Sequence, residues 1–351
     1  MDTDSLVRIT VAILPVLLLL FTFDRLDVFD LIIFRVIALL LIIGILISVP
    51  SFFANWLVLD AFDVGFDTHS RYISPWIEES LKMIPVIVMF AHNRLGYKLD
   101  AGIAGFAVGA GFAVAENIWY LNAIADANFS VWLVRGFGTA VMHGGATAVF
   151  AIVSQQLTEH QAESDAVHYR FRPVFFLPGL VLAVVVHSGF NHFPNQPVAV
   201  MIATLLAVPL VLFLVFNRNQ GSTQSWLRSD ASNHRKEIAD LKSGAYRSGQ
   251  RGRKVERAVA GADDEMMGRV FAYIEVKTAL ILRAEEMIMA AHDDQIHEVG
   301  PEDVGMFLEL ETLERQVGPT LLAAIEPVLG FTRNDLWELS RLQLRVFKQR
   351  R

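Results

Sequence analysis

The stretch Trp76-Ile77-Glu78-Glu79-Ser80-Leu81-Lys82 decides the fold, because it places three charged side chains at the head of an apolar run. That run continues to about Ala91 and is otherwise typical of a segment inside a lipid bilayer. Each ionisable group in the hydrocarbon core costs roughly 2.5–3.5 kcal/mol on insertion scales, so such groups usually face protein or water. The stretch therefore predicts a helix within a bundle of membrane helices, which bring further polar groups to meet it.

The composition supports a membrane domain followed by a soluble one. The 351 residues are 53% hydrophobic, with a mean hydropathy of +0.41, and the apolar excess lies before about Asn217. The sequence contains no cysteine, which excludes disulfides, thiol catalysis and thiolate metal sites. The first 23 residues lack a small-residue cleavage signal, and we expect a retained first helix, with a cleaved signal peptide as the alternative.

Seven apolar segments are long enough, or nearly so, to cross a bilayer as a helix of about 20 residues. These predicted spans are residues 6–23, 31–50, 75–91, 101–121, 132–157, 174–192 and 198–217. Backbone polar groups must be satisfied internally in lipid, which favours helices. The predicted fold is therefore an all-α polytopic transmembrane bundle of about seven spans, with a C-terminal helical cytosolic region.

The lysine and arginine residues of the loops predict the orientation. Arg94 and Lys98 follow the third span, and Arg170 and Arg172 follow the fifth, whereas the opposite loops are poor in both residue types. Because positively charged loops stay in the cytoplasm, we expect the N-terminus outside and the C-terminus in the cytoplasm of a multi-pass cell-membrane protein. The absence of eukaryotic targeting features favours a bacterial inner membrane.

This topology places polar residues of four spans in one layer, in the outer half of the bilayer. A helix rises 1.5 Å per residue, so the charged groups of the third, fourth, fifth and sixth spans all fall near the outer face. The predicted catalytic residues are Glu78, Glu79, Glu116, His143, His187 and Asn191, with Lys82 and Arg135 in support. We expect a site that uses water, in which one glutamate is the general base.

Helical spacing suggests roles for these groups but leaves one choice open. Lys82 follows Glu78 by four residues and Glu79 by three, so it can pair with either carboxylate. The other glutamate is then the base, and the two side chains point about 100° apart. His187 and Asn191 share a helix face and can donate hydrogen bonds to a developing oxyanion.

The ordered motifs resemble those of the PrsW family of intramembrane proteases, which are distantly similar to type II CAAX prenyl endopeptidases. The motifs are EExxK at 78–82, FxxxE at 112–116, His143 and HxxxN at 187–191, and the resemblance covers roughly residues 30–215. Asn191 matches the CAAX form where this family can carry Asp. The resemblance implies cleavage of a membrane protein near the extracytoplasmic face; members of known role cleave an anti-sigma factor in a signalling cascade (site-1-type cleavage).

Three other functions stay open at the level of the sequence. The preferred hypothesis is a glutamate-activated water without a cofactor. A metal-dependent hydrolase is the alternative, with zinc held by Glu79, Glu116, His143 and His187, although no HExxH motif is present. Intramembrane Glu, His, Arg and Lys are also typical of proton-coupled transporters. A membrane sensor that signals through its tail is the last alternative.

The tail differs in composition from the rest of the chain. We expect a protease-like transmembrane domain over residues 1–217, a basic linker over 218–260 and a helical cytosolic domain over 261–351. Helical periodicity covers residues 263–297, 301–317 and 332–348. The expected partners are a membrane protein substrate, the lipid bilayer and an unidentified cytosolic partner of the tail, with no nucleic acid.

Overall fold

The computed structural model describes residues 34–123, 129–164, 172–193, 195–292 and 299–348, with scattered positions between 7 and 22. Over these residues every regular element is a helix and none is a strand. The chain divides into two compact units. The membrane unit consists of residues 1–159 and 171–219, and the C-terminal unit of residues 160–170 and 220–351.

Among the residues that the structure describes, six long helices begin in the membrane unit. They are α1 (Phe34–Ala61), α2 (Ser74–Ala91), α3 (Lys98–Ala123), α4 (Ala140–Ser164), α5 (Leu177–Asn191) and α6 (Pro197–Ser243). A π-helical turn, His69–Ile73, leads directly into α2, and another, Val134–Thr139, leads into α4. Pro75 lies in the first turn of α2 and has no N–H to donate to the carbonyl oxygens of the π-helical turn before it.

Five helices of the described residues are long and apolar enough to cross a membrane. They cover Phe34–Ala61, Lys98–Tyr120, Val131–Glu159, Pro173–Asn191 and Pro197–Val215.

The predicted second span is longer than expected, because α1 continues past Pro50. The predicted third span is α2, an 18-residue helix whose three charged groups set it apart from those five. The predicted first span lies mostly outside the described residues. An all-α membrane bundle is confirmed.

Helix α3 lies at the centre of the membrane unit. Its apolar segment is 83% buried, whereas the apolar part of α6 is 6% buried and presents its side chains outward. Glycines let α3 approach its neighbours at backbone distance: a Cβ on Gly111 would lie 2.0 Å from the carbonyl oxygen of Leu41 in α1. A Cβ on Gly109 would lie 2.2 Å from the carbonyl oxygen of His143 in α4. Small residues at such crossings are typical of membrane helix packing.

Among its described residues, the C-terminal unit contains the end of α6, a four-residue helical turn (Ala245–Ser248) and five longer helices. They are α7 (Gln250–Ala258), α8 (Asp264–His292), α9 (Pro301–Val317), α10 (Pro319–Leu329) and α11 (Arg333–Lys348). Helix α8 packs against α9 and α11, and α7 packs against α10. Their shared core includes Val270, Ile274, Leu280 and Ile325, all fully buried. The predicted tail helices are present, although residues 293–298 lie outside the described part.

The segment predicted as a basic linker, 218–260, is mostly helical in the structure. Helix α6 continues through residue 243, and a short turn of helix and α7 follow it. This part of α6 is helical because it carries an apolar stripe, which the many basic residues of the segment obscure in the sequence. Leu227 and Ala231, four residues apart on one helix face, are fully buried.

Candidate active site

Four helices bring most of the predicted site residues into direct contact. Glu79 of α2 is 2% exposed and accepts two hydrogen bonds on the same oxygen. The ammonium of Lys82 donates to Oε1 of Glu79 at 2.5 Å. Nδ1 of His187, from α5, lies 2.8 Å from that oxygen. Because a carboxylate only accepts, Nδ1 carries the proton of His187, and in the neutral imidazole Nε2 carries the lone pair.

A second chain of contacts connects α2 to α3 through α4. Nζ of Lys82 lies 2.8 Å from Nδ1 of His143, and Nε2 of His143 lies 3.0 Å from Oε2 of Glu116. The ammonium can only donate, so the proton of His143 lies on Nε2 and points to Glu116. Arg135 lies 3.3 Å from the other oxygen of Glu116, and its guanidinium stacks on the ring of Tyr120 at 3.6 Å. The imidazole of His143 is thereby held from both sides.

Glu78 differs from Glu79 in its partners. Its Oε1 accepts a hydrogen bond from the hydroxyl of Ser74 at 2.6 Å. Its Oε2 is buried and has no hydrogen-bond partner among the described residues. Nε2 of His187 lies 3.9 Å from Oε2, too far for a direct hydrogen bond. The lone pair on Nε2 of His187 and Oε2 of Glu78 are therefore separated by a distance that one water or one ion can bridge.

Asn191 lies apart from this cluster. Its Nδ2 donates to the carbonyl oxygen of Ser70 at 2.8 Å, and the hydroxyl of Ser188 donates to the carbonyl oxygen of Arg71 at 2.6 Å. Both acceptors belong to the π-helical turn before α2. The last turn of α5 is thus tied to the backbone that leads into the Glu78 helix. This geometry gives Asn191 a structural contact where we expected an oxyanion donor.

Burial and charge describe the environment of the cluster. Lys82 is fully buried and His143 is 1% exposed, whereas the side chain of Glu116 is 26% exposed. Water therefore reaches the cluster most directly on the side of Glu116. Three carboxylates face two permanent cations, Lys82 and Arg135, which leaves one negative charge for a protonated histidine or a bound cation.

The residue types present fit a metal ion. Ligand atoms of Glu78, His143 and His187 all lie within 4.8 Å of one another. Two imidazoles and one carboxylate form a ligand set of catalytic zinc enzymes. Glu79 and Glu116 hold the second nitrogens of the two histidines, as carboxylates do beside metal-binding imidazoles. Lys82 donates to Nδ1 of His143, so this nitrogen becomes available to a metal only after Lys82 moves. The ligand set that the structure offers thus contains Glu78 with the two histidines, whereas the ligands expected from the sequence were Glu79 and Glu116 with the same histidines.

Sequence reasoning did not assign roles to three residues that support the site. Ser74 lies one turn before Glu78, and this i, i+4 spacing was the available signal. Asn117 accepts a hydrogen bond from Nε of Arg135 at 3.1 Å. Tyr120 supplies the ring beneath the Arg135 guanidinium, and nothing in the spacing alone indicated it.

Comparison with known proteins identifies one family. The family model described as PrsW family intramembrane metalloprotease matches residues 33–216, which include every site residue described above. No curated protein and no solved structure matches the chain.

Proposed function

The chain belongs to the PrsW family of intramembrane metalloproteases, and on that premise we propose that the cluster around Glu78 hydrolyses peptide bonds of membrane-associated proteins. Membership makes the chain an intramembrane protease and, with five apolar helices of spanning length, a multi-pass membrane protein. One observation carries the assignment of the chemistry. Oε2 of Glu78 is buried, has no hydrogen-bond partner in the described part of the chain and lies 3.9 Å from Nε2 of His187.

Glu78 is the general base of the proposed reaction. Its unpartnered oxygen is able to take a proton from a water that also contacts Nε2 of His187. The oxygen of that water attacks the substrate carbonyl carbon, the C–N bond breaks, and the proton passes from Glu78 to the leaving amine. Ser74 holds the other oxygen of the carboxylate and so fixes its direction.

Glu79 and Glu116 are positioning residues in this proposal. Oε1 of Glu79 is engaged by Lys82 and His187, which makes Glu79 a good support for His187. Its Oε2 is also buried without a hydrogen-bond partner among the described residues, but the adjacent ammonium of Lys82 makes this carboxylate the poorer proton acceptor. Glu116 supports His143 in the same manner. Lys82 brings a buried positive charge to the cluster, which favours the negative charge that develops on the carbonyl oxygen.

A divalent metal fits this site, and Glu78, His143 and His187 would hold it. Such an ion supplies Lewis-acid polarisation of the carbonyl and lowers the pKa of a bound water. The residues of the chain would then act as ligands or, for Glu79 and Glu116, orient the ligands. Membership of a metalloprotease family favours this form over the cofactor-free hydrolysis expected at first.

The side of the membrane follows from the charged loops. Arg94 and Lys98 after α2 support a cytoplasmic location for that loop, and hence for the C-terminal unit. The cluster then lies toward the extracytoplasmic face. The proposed substrate is a membrane-associated protein cut near that face, in a regulatory, site-1-type cleavage.

The test compares glutamine variants of the two adjacent glutamates. Wild type and variants are purified in detergent, reconstituted in liposomes and incubated with a panel of single-span reporter proteins. We expect Glu78→Gln to fold as wild type and to lose activity by about 10²–10⁴-fold, the contribution of a general base. Glu79→Gln should lose both activity and thermal stability. Asp60→Asn, at an exposed position of α1, is the control.

Metal content separates the two forms of the mechanism. Stoichiometric zinc lost on chelation together with cleavage, and reduced by one equivalent in a His143→Gln, His187→Gln double variant, would support the metal-dependent form. Full cleavage after complete removal of metal would leave the glutamate alone as the catalyst. Undiminished cleavage by Glu78→Gln would contradict both.

A further inference from the structure

A second cluster of metal-ligating side chains lies entirely within the C-terminal unit. Asp230 and His234 are one turn apart on α6, Glu285 comes from α8, and Asp335 comes from the first turn of α11. One ligand atom from each residue lies within 4.8 Å of all the others. Three helices far apart in sequence thus direct three carboxylates and one imidazole at a single point.

The imidazole of His234 is already oriented within the cluster. Nδ1 of His234 lies 3.1 Å and 3.2 Å from the two oxygens of Glu285. Nε2 points the other way and lies 4.0 Å from Oδ2 of Asp335. A carboxylate on one imidazole nitrogen, with the other nitrogen facing further carboxylates, is the arrangement found around metal-binding histidines.

Two buried carboxylate oxygens in the cluster accept no hydrogen bond from the described residues. Oδ1 of Asp335, a residue 2% exposed, and Oδ2 of Asp230 have no hydrogen bond among the described residues. Asp335 cannot turn away to find a partner. Its other oxygen accepts the backbone N–H of Thr332 at 2.6 Å, and the hydroxyl of Thr332 accepts the N–H of Asp335 at 3.1 Å. A buried carboxylate oxygen that accepts no hydrogen bond is costly, which points to a bound cation.

We propose that Asp230, His234, Glu285 and Asp335 bind one divalent first-row transition metal, which holds α6, α8 and α11 together. One imidazole and three carboxylates suit Zn²⁺, Mn²⁺ or Fe²⁺, whereas a thiolate-selected ion is excluded because the chain has no cysteine. His234, Glu285 and Asp335 are buried, and four protein ligands fill the shell, so the site is structural in type. It lies in a different unit from the Glu78 cluster and does not depend on the proposed protease chemistry.

Protons are the competitors of the metal. Burial lowers the pKa of His234, but the hydrogen bond and charge of Glu285 outweigh burial and raise it to about 9. Burial and the charge of Asp335 raise the pKa of Asp230 to about 7. Without a metal, an imidazolium and a shared proton would offset part of the carboxylate charge. Imidazole and carboxylate ligands bind a metal in their deprotonated form, so protons and a metal compete for this cluster.

The test measures metal content and thermal unfolding of the full-length chain in detergent. The protein is stripped with a chelator, incubated with Zn²⁺ or Mn²⁺ alone and freed of excess ion. We expect His234→Gln to bind one equivalent less than wild type. The same difference should appear in a His143→Gln, His187→Gln background, in which the membrane cluster is disabled.

Thermal unfolding provides the second readout. In the His143→Gln, His187→Gln background, added Zn²⁺ or Mn²⁺ should raise the Tm of the protein with an intact C-terminal cluster. It should also raise the Tm of Glu286→Gln, a partly exposed neighbour that pairs with Arg235, but not of His234→Gln. If His234→Gln folds poorly, Asp230→Asn carries the comparison, with an affinity at least about tenfold weaker than wild type. Equal metal content and equal Tm response in wild type and both variants would overturn the proposal, because the cluster is then balanced by protons alone.

Discussion

Nζ of Lys82 lies 2.8 Å from Nδ1 of His143, and neither side chain is more than 1% exposed. This contact joins α2 to α4 and fixes the tautomer of the imidazole, because an ammonium can only donate. Lys82 also donates to Glu79, so one buried cation organises a carboxylate and a histidine at the same time. Positive charge in the site is therefore supplied by the chain itself, at the place where a metal would contact His143.

The first prediction concerns the loss of this cation. Lys82→Met should lower stability by about 3–5 kcal/mol, because it leaves the buried carboxylate of Glu79 without its cation. Cleavage should fall with it. Adding Glu79→Gln should restore part of the stability but not the activity, since the support for His187 is then lost as well. Thermal unfolding in detergent and reporter cleavage measure the two effects.

Lys98→Met is the matched control for Lys82. Lys98 pairs with Glu159 at 3.3 Å, and both side chains are about one-fifth exposed. A partly solvated pair contributes at most about 1 kcal/mol. Equal destabilisation by Lys82→Met and Lys98→Met would contradict the buried-cation argument.

The second prediction concerns the crossing of α3 and α4. Gly109→Ala should lower stability by about 1–3 kcal/mol, because the new Cβ would lie 2.2 Å from the carbonyl oxygen of His143. Relief requires α4 to move, and His143 moves with it. We expect cleavage to fall at least about tenfold, the size of effect that a small misplacement of a catalytic group produces. Gly189→Ala on α5, where a Cβ meets nothing within 4 Å, should leave the Tm unchanged.

The sequence alone predicted the meeting of four helices, for a physical reason. Charged groups in a bilayer must face protein, and alternating helix directions put those of α2, α3, α4 and α5 at one depth. Glu78 and Glu79 could not be told apart, because their phases differ by 100° and the rotation of α2 depends on its neighbours. The structure separates them through His187, which lies 2.8 Å from an oxygen of Glu79 and 3.9 Å from one of Glu78.

Two other features of the fold depend on tertiary contacts, which the amino-acid composition does not indicate. The basic residues of 218–260 predicted a linker, yet α6 continues through residue 243 because Leu227 and Ala231 face the interior. The second carboxylate and histidine cluster was missed for the same reason. Its members on α6, α8 and α11 are ordinary charged residues until the helices pack, and only Asp230 and His234 carry a local signal, their i, i+4 spacing.

The third prediction distinguishes two roles for Asn191. An oxyanion donor would cost about 10²–10³-fold in kcat on removal, with stability unchanged. Because Nδ2 of Asn191 donates to the carbonyl oxygen of Ser70, we instead expect Asn191→Ala to lower the Tm, with a smaller loss of activity. Ser188→Ala, which removes the parallel bond to the carbonyl oxygen of Arg71, should behave in the same way. A large loss of kcat in Asn191→Ala without a change in Tm would instead support the role of Asn191 as an oxyanion donor.

The fourth prediction concerns a buried lysine in the C-terminal unit. Lys277 is 7% exposed, and its Nζ donates to the hydroxyl of Tyr273 at 2.9 Å and lies near the ring of Phe331. Burial lowers its pKa from the ordinary value of 10.5, against the opposing charges of Glu326 and Glu314. The unfolded chain then binds this proton more readily than the folded one. The cost to stability is fully present below the folded pKa and disappears as the pH rises toward 10.5.

Lys277→Met should therefore stabilise the C-terminal unit at neutral pH, and the gain should shrink as the pH is raised. The measurement is hydrogen exchange of the α8 amides in the full-length chain, which reports local opening. The comparison is made between variant and wild type at each pH. Lys242→Met, at a position whose side chain is 67% exposed, should leave α8 exchange unchanged. Faster exchange in Lys277→Met at pH 7 would mean that the bond to Tyr273 contributes more than the desolvation of the ammonium costs.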